Sequence, residues 1–391
     1  MNIRSKISSK IESIKPSASI TTAEKIKEMK KQGADIVDLS WGEPYFGTPN
    51  IIKESAKNAM DNNFTHYTNS RGLIELRESV SEKLQRENKI IYDPNTEILV
   101  TPGAKQAIFY AVYALVEDGD EVLIPEPYWL SYRDIVKLAG GKVVPIETKE
   151  ENYFKPRYED IESKISERTK AIIINSPNNP TGMVLDKNNL EDIAEIAKKH
   201  DLIVISDEIY EKIIFDGRRH YSIASFPEMK ERTITINGFS KAFAMTGWRL
   251  GYLATSNELM EYIIKVHQHI ATCANSFVQK AAISAFEKCA EEVIQMTQEY
   301  EKRRDIIFGG INSVNNLSCL KPEGTFYAFV NIKKLGMNSI EASEYLLEKA
   351  KIATVPGVEY GTSGEGYLRI SFGLPEKDLI EVIERLQKAL K

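Results

Sequence analysis

The sequence lacks several features that would assign a function quickly. No run approaches the roughly eighteen apolar residues that a membrane-spanning helix needs, and the opening stretch MNIRSKISSKIESIKPS is charged without the apolar segment of a secretory leader. Cysteine is scarce: Cys273, Cys289 and Cys319 are odd in number and show no CxxC spacing, which argues against a disulfide framework or a zinc site and fits a reducing compartment. The five histidines, His66, His200, His220, His267 and His269, show no HExxH or other ligand spacing, so no metal centre is expected. Neither sign of charge dominates. Lys+Arg total 51 against 56 Asp+Glu, a net charge of -5, so nucleic-acid binding through phosphate neutralisation is not expected and a charged ligand must be held by local groups. There is no Pro-rich or Gly/Ser-rich linker, no repeat period and no long block of one charge. GxxxxGK[ST] is absent, and no GxGxxG joins a strand to a helix. These absences describe a soluble, cytoplasmic protein that binds neither membrane nor nucleic acid.

What is present is a rhythm. The 391 residues, 42% hydrophobic and 27% charged, exceed one ordinary domain and predict two, or one large domain with a lobe. Short β-branched runs alternate with helix-length amphipathic segments: EILV (97–100), AKQAIFYAVYALV (104–116), EVLI (121–124), YWLSYRDIVKLA (128–139) and KVVPI (142–146). The pattern continues through KAIIINS (170–176), NLEDIAEIAKKH (189–200), DLIVISDE (201–208) and RTITING (232–238), whose Ile and Val runs read as strands buried on both faces of a mainly parallel sheet. Beyond about residue 255 the pattern turns helical, with one long segment over about 277–308. Short strands return at GTFYAFV (324–330) and YLRISFG (367–373), with a helix near 339–350 between them. The expected division is an N-terminal segment, 1–45, that joins the small domain, a large domain over 46–299, and the rest of a small α+β domain over 300–391.

In open α/β sheets ligands gather beyond the carboxyl ends of the strands. There this sequence places TPGAK, PEPYW, NSPNNPTG, SDEIYE and NGFSKAFAMTGWR. Gly103, Ala104 and Lys105 stand where a strand becomes a helix, and the free N–H groups and dipole of a helix start suit a phosphate. Asp207 ends a buried aliphatic run, where an ionised carboxylate is costly unless something positive faces it. Alternation points Glu208 to the opposite face. Ser240, Lys241 and Arg249 follow the strand TITI among small residues, an anion-seeking cluster in which a desolvated lysine has a depressed pKa and can form a Schiff base. Pyridoxal phosphate needs one lysine for its aldehyde, one carboxylate for its ring nitrogen and one pocket for its phosphate. Lys241, Asp207 and the turn at 103–105 are one of each.

The motif G-F-S-K-A-F-A-M-T-G-W-R-L-G (238–251), with G-E-P-Y-F, S-P-N-N-P-T-G and S-D-E-I-Y in order before it, resembles the class I aminotransferases of the fold type I pyridoxal-phosphate superfamily, and within them the bacterial and archaeal aspartate aminotransferase branch. The likeness runs from Pro16 to Gly373. It implies a mainly parallel seven-stranded sheet covered by helices, with a smaller α+β domain. It implies that Lys241 carries the cofactor and moves the substrate proton, and that Asp207 keeps the ring nitrogen protonated. Asn179 and Tyr210 would bond the phenolate oxygen, and Trp129 would stack on the ring. Gly103, Ala104, Lys105, Ser240 and Arg249 would hold the phosphate, joined by Tyr67 from a second subunit, which implies a homodimer with shared active sites. Arg369 would grip the substrate α-carboxylate with Gly42 and Asn179.

Specificity rests on Lys105, which resembles the lysine that meets a distal carboxylate in this branch, with Ser17 and Ser19 in a segment that closes over substrate. The implied reaction is ping-pong transfer from aspartate to 2-oxoglutarate, with closure of the small lobe bringing Arg369 and residues 16–19 into place. Aminotransferases for aromatic amino acids, alanine or prephenate, and a β-C–S lyase, remain alternatives on the same scaffold. A non-catalytic regulator with a helix-turn-helix module ahead of such a domain is not expected, because 41 residues precede Gly42.

Overall fold

The computed structural model describes residues 3, 6–12, 14 and 18–391, those at 9, 18–23 and 25 for their backbone only. Pro16 and Ser17 therefore lie outside the described residues, and Ser19 is described only as part of the helix Ala18–Lys31.

Among the described residues thirteen strands follow in chain order: β1 Val37–Asp38, β2 Ile98–Thr101, β3 Glu121–Glu126, β4 Lys142–Glu147, β5 Thr169–Asn175, β6 Ile203–Asp207, β7 Thr233–Gly238, β8 Gly251–Ala254, β9 Ser318–Cys319, β10 Tyr327–Asn331, β11 Ile352–Ala353, β12 Val355–Pro356 and β13 Tyr367–Ser371. Seven form one sheet in the order β2-β8-β7-β6-β5-β3-β4. Its strands run parallel except β8, which is antiparallel to both neighbours. The aliphatic runs are unbroken because both faces are covered. Leu99, Ile173, Ile205 and Ile234 pack with the helices Ala104–Leu115 and Asn257–Ile270 on one face. Leu123, Ile172, Ile174 and Val204 pack with the helix Lys187–Lys199 on the other.

A four-stranded antiparallel sheet, β12-β13-β10-β9, forms the second layer system. The parallel pair β1 and β11 sets Val37 beside Ile352 and Asp38 beside Ala353, tying this part of the early chain to the segment that leads into β12. Leu39 shares a core with Ile307, Phe326, Ile352, Phe372 and Leu379.

Two local expectations need correction. The segment expected as one helix over 277–308 is two, Ser276–Lys288 and Ala290–Asn312, broken at Cys289. No proline or glycine marks the break. Apolar periodicity runs through it because Val278, Ala281 and Ala285 bury in the core beside the large sheet, whereas Tyr300, Ile307 and Ile311 bury in that of the small one. Strand β8 was not anticipated, because its four residues adjoin the loop motif and its direction opposes the parallel rhythm.

Candidate active site

Loops leaving the carboxyl ends of β2, β3, β5, β6 and β7 converge with residues 40–43 and with side chains of β10 and β13 on one cavity of ≈ 500 Å³. Its lining includes Gly42, Ala104, Lys105, Trp129, Asn179, Asp207, Tyr210, Ser240, Lys241, Arg249 and Arg369. Residues spread over more than three hundred positions of sequence thus meet in one place.

Asp207 is the last residue of β6 and is 3% exposed. Its carboxylate accepts hydrogen bonds from the Tyr132 hydroxyl at 2.7 Å and the Ile209 N–H at 3.1 Å. Burial pushes its pKa up to about 6, partly offset by those two donors. Among the described residues no lysine or arginine forms an ion pair with it, so the structural pairing that would otherwise explain a buried carboxylate is missing. What lies in front of it is the cavity.

Lys241, in the turn after β7, donates from Nζ to the Gly42 carbonyl, and its ammonium lies 5.8 Å from the ring centroids of Tyr210 and Phe326. Burial pushes its pKa down to about 8; Glu43 opposes this, and Arg369 and Arg249 add to it. A lysine so placed has a neutral fraction at neutral pH that a solvated one lacks.

At the start of the helix Ala104–Leu115, Gly103 adopts φ 93°, and a Cβ there would sit 2.7 Å from Arg249 Nη2. Only glycine combines this backbone with that close approach. Neither the Ala104 nor the Lys105 N–H has an acceptor among the described residues, and both amides open the helix. Arg249, whose Nη1 donates to the Thr246 carbonyl, and the buried Ser240 complete an anion site.

Lys105 sits with Nζ 4.8 Å from the Trp129 ring centroid. Burial lowers its pKa, and Arg249 lowers it further. Among the described residues it has no carboxylate partner.

Arg369 is 3% exposed, extends from β13 into the cavity and donates to the Ser40 carbonyl and, at 3.5 Å, to Asn179 Oδ1. Its Nε is buried without a partner among the described residues. The side chain thus stands at the cavity wall in this structure. Asn179 is fixed by its own N–H donating to Asn175 Oδ1.

The donor set fits a phosphorylated pyridine aldehyde: a lysine with lowered pKa, an unpaired buried carboxylate and a helix start with free amides beside an arginine. Of the expected residues, Tyr67 is not brought to the cavity by its own chain, and Ser17 and Ser19 cannot be placed at it or away from it. Tyr67 is 86% exposed and does not line the cavity of its own chain. Ser17 lies outside the described residues, and the side chain of Ser19 is not described. Two residues that the sequence did not single out are part of the site. Tyr132 holds Asp207 and packs edge-on against Trp129, with ring centroids 5.3 Å apart. The Tyr327 hydroxyl bonds the Tyr210 hydroxyl at 3.0 Å, and its ring lies 4.5 Å from Arg369 Cζ. Tyr132 was within reach, being three residues beyond Trp129, to whose carbonyl its N–H donates in the turn that enters the helix Ser131–Ala139. The alternation of F-Y-A-F gives no sign of which face meets a cavity.

Comparison with known proteins gives these residues their setting. The family model "Aminotransferase class I and II" matches residues 34–386. The aspartate aminotransferase of Pyrococcus abyssi is 49% identical, with 91% of this chain and 92% of that one covered. The aromatic-amino-acid aminotransferase 2 of Thermococcus litoralis is 44% identical over 98% of each. The structure of the Thermus thermophilus aspartate aminotransferase with maleate superposes with a TM-score of 0.94 at 38% identity, covering 98% of this chain and 99% of that one. With that match spanning the cavity and both sheets, the chain belongs to the class I and II aminotransferases.

Proposed function

We propose that this aminotransferase takes the amino group from aspartate and gives it to 2-oxoglutarate, both half-reactions using the one cavity in turn. The observation that carries the substrate is the pair of cations lining that cavity, Arg369 and Lys105, of which Lys105 has no carboxylate partner among the described residues. A dicarboxylic amino acid satisfies both. The maleate, a dicarboxylate, in the Thermus thermophilus relative is in keeping with this.

Pyridoxal phosphate is the family's cofactor; when bound it supplies an aldehyde for the amino group and a ring that takes up the electron pair released at Cα. Lys241 would provide the amine that holds it and would be the group placed to move a proton to and from the substrate Cα. Asp207, with its pKa at about 6, is ionised at neutral pH and would keep a proton on the ring nitrogen. Tyr132 fixes the direction of that carboxylate. Tyr210 and Asn179 would hydrogen-bond the phenolate oxygen, and Trp129 would stack on the ring. The Ala104 and Lys105 amides, Ser240 and Arg249 would hold the phosphate, while Gly103 leaves room for Arg249. Arg369 grips the α-carboxylate beside Asn179 and Gly42, and Ser17 and Ser19 contribute from the N-terminal segment. Tyr67, too exposed to serve its own cavity, completes the phosphate site of a second copy, so the working unit is a homodimer.

Stopped-flow absorbance of the cofactor-loaded protein against aspartate, phenylalanine, alanine and cystathionine tests the substrate. Aspartate should react fastest. A faster response to phenylalanine would favour the aromatic reading that the Thermococcus litoralis relative suggests.

A further inference from the structure

Glu126, the last residue of β3, is 2% exposed, and among the described residues no lysine or arginine pairs with it. Its carboxylate instead collects four neutral donors from one turn. Oε1 accepts the Thr362 N–H at 2.8 Å, and Oε2 accepts the Thr362 hydroxyl at 3.1 Å, the Ser363 N–H at 3.1 Å and the Ser363 hydroxyl at 2.9 Å. The turn is shaped to receive it. Gly361 adopts φ 111°, and a Cβ at that position would lie 1.6 Å from Glu126 Oε1.

That turn belongs to the connection between β12 and β13, in which Val355 stands opposite Arg369. One residue before it, the Tyr360 carbonyl accepts the Tyr128 N–H at 3.0 Å, and the Tyr360 ring lies 5.5 Å from Arg369 Cζ. On the other side, Glu126 is three residues from Trp129. A single buried carboxylate thus ties the segment bearing the cavity's tryptophan to the hairpin bearing its arginine.

Resting on the functional reading above, we infer that Glu126 is a positioning residue for substrate binding: by pinning the 361–363 turn to the end of β3 it sets where Arg369 stands relative to the cofactor ring. A carboxylate is required because four donors converge on two oxygens. Glutamine would turn an NH₂ group toward hydroxyl and amide donors and leave some of them unpaired. Because Arg369 serves the α-carboxylate common to all amino acids, the effect of losing Glu126 falls on every donor alike. That distinguishes it from loss of Lys105.

The test compares wild type with Glu126→Gln, with the double variant Thr362→Ala/Ser363→Ala and with the conservative Thr362→Ser, all loaded with pyridoxal phosphate. Succinate binding is followed by tryptophan fluorescence, and aspartate and alanine turnover and the pH midpoint of the cofactor's visible band are measured beside it. In Glu126→Gln the succinate dissociation constant and the KM for both donors should rise roughly tenfold, the size of a lost charged hydrogen-bond set. The kcat should stay within about threefold and the band's midpoint should not move. The double variant should follow in the same direction, and Thr362→Ser should match wild type. A fall in melting temperature or cofactor affinity with unchanged succinate binding would overturn the inference, as would a loss confined to aspartate. Wild type that binds succinate but transfers no amino group would sink the functional reading and leave the Glu126 comparison standing.

Discussion

Asp207 and Glu208 are neighbours in the chain, both buried, and strand geometry sends them to opposite faces of the sheet. Glu208 accepts from the side chains of Ser206, Ser222, His220 and Asn88. Beside it Lys83, 2% exposed, is held by Glu211 and Asn88. The carboxylates of Glu208 and Glu211 converge with His220, and Lys83 already supplies the cation at that place. Asp207 has two neutral donors and an open cavity, and Lys241 has a carbonyl. A buried charge enclosed by partners holds structure together, whereas one with a free side toward a cavity is kept for a ligand. Composition does not separate the two regions; the number of partners does.

The largest effects should separate the two lysines. Lys241→Ala should lower amino transfer by about 10⁴-fold or more while leaving the unfolding midpoint unchanged or slightly raised. Lys83→Met should do the reverse, costing about 3–5 kcal/mol of stability by stranding Glu211, with turnover per folded molecule retained. Loss of turnover without loss of stability in Lys83→Met would break the comparison.

The two faces should also respond to pH in opposite directions in the cofactor-free chain. Asp207 has a folded pKa near 6 against an ordinary 3.8, so the folded state binds the extra proton between those values. Stability should fall as pH rises from about 4 to about 6, by ~3 kcal/mol in total, and Asp207→Asn should remove that slope. At Glu211 burial would raise the pKa, but Lys83, His220 and Lys212 outweigh it and bring it down to about 2. That contribution is present above the ordinary 4.5, is lost as pH falls toward 2, and should vanish in Glu211→Gln. Urea midpoints across pH 2–7 measure both.

Smaller effects sharpen the assignment within the cavity. Lys105→Ala should weaken aspartate by roughly 10–100-fold relative to alanine, the range for a lost charged contact; an equal loss for both would assign Lys105 to the phosphate. Tyr67→Phe should weaken pyridoxal phosphate about tenfold at dimer concentrations, read by cofactor titration.

The parallel sheet was legible because Ile172 to Ile174 and Val204 to Ile205 are buried on both faces and leave unbroken runs. The site was legible where chemistry is carried by a residue type that is costly without a function: Asp207 at the end of an apolar strand, Arg369 within one, Lys241 among small residues. What stayed hidden was relational. Nothing in G-T-F-Y-A-F marks Tyr327 as the partner of Tyr210, and nothing in P-E-P marks Glu126 as the anchor of a turn more than two hundred residues away. The break at Cys289 was invisible because periodicity reports burial and not which core receives it.

Borohydride reduction of the pyridoxal-phosphate-loaded protein, followed by peptide mapping, tests the central assignment most directly. The label should fall on Lys241, the desolvated amine facing Asp207 across the cavity. A label on Lys105 or another lysine, or none at all, would contradict it.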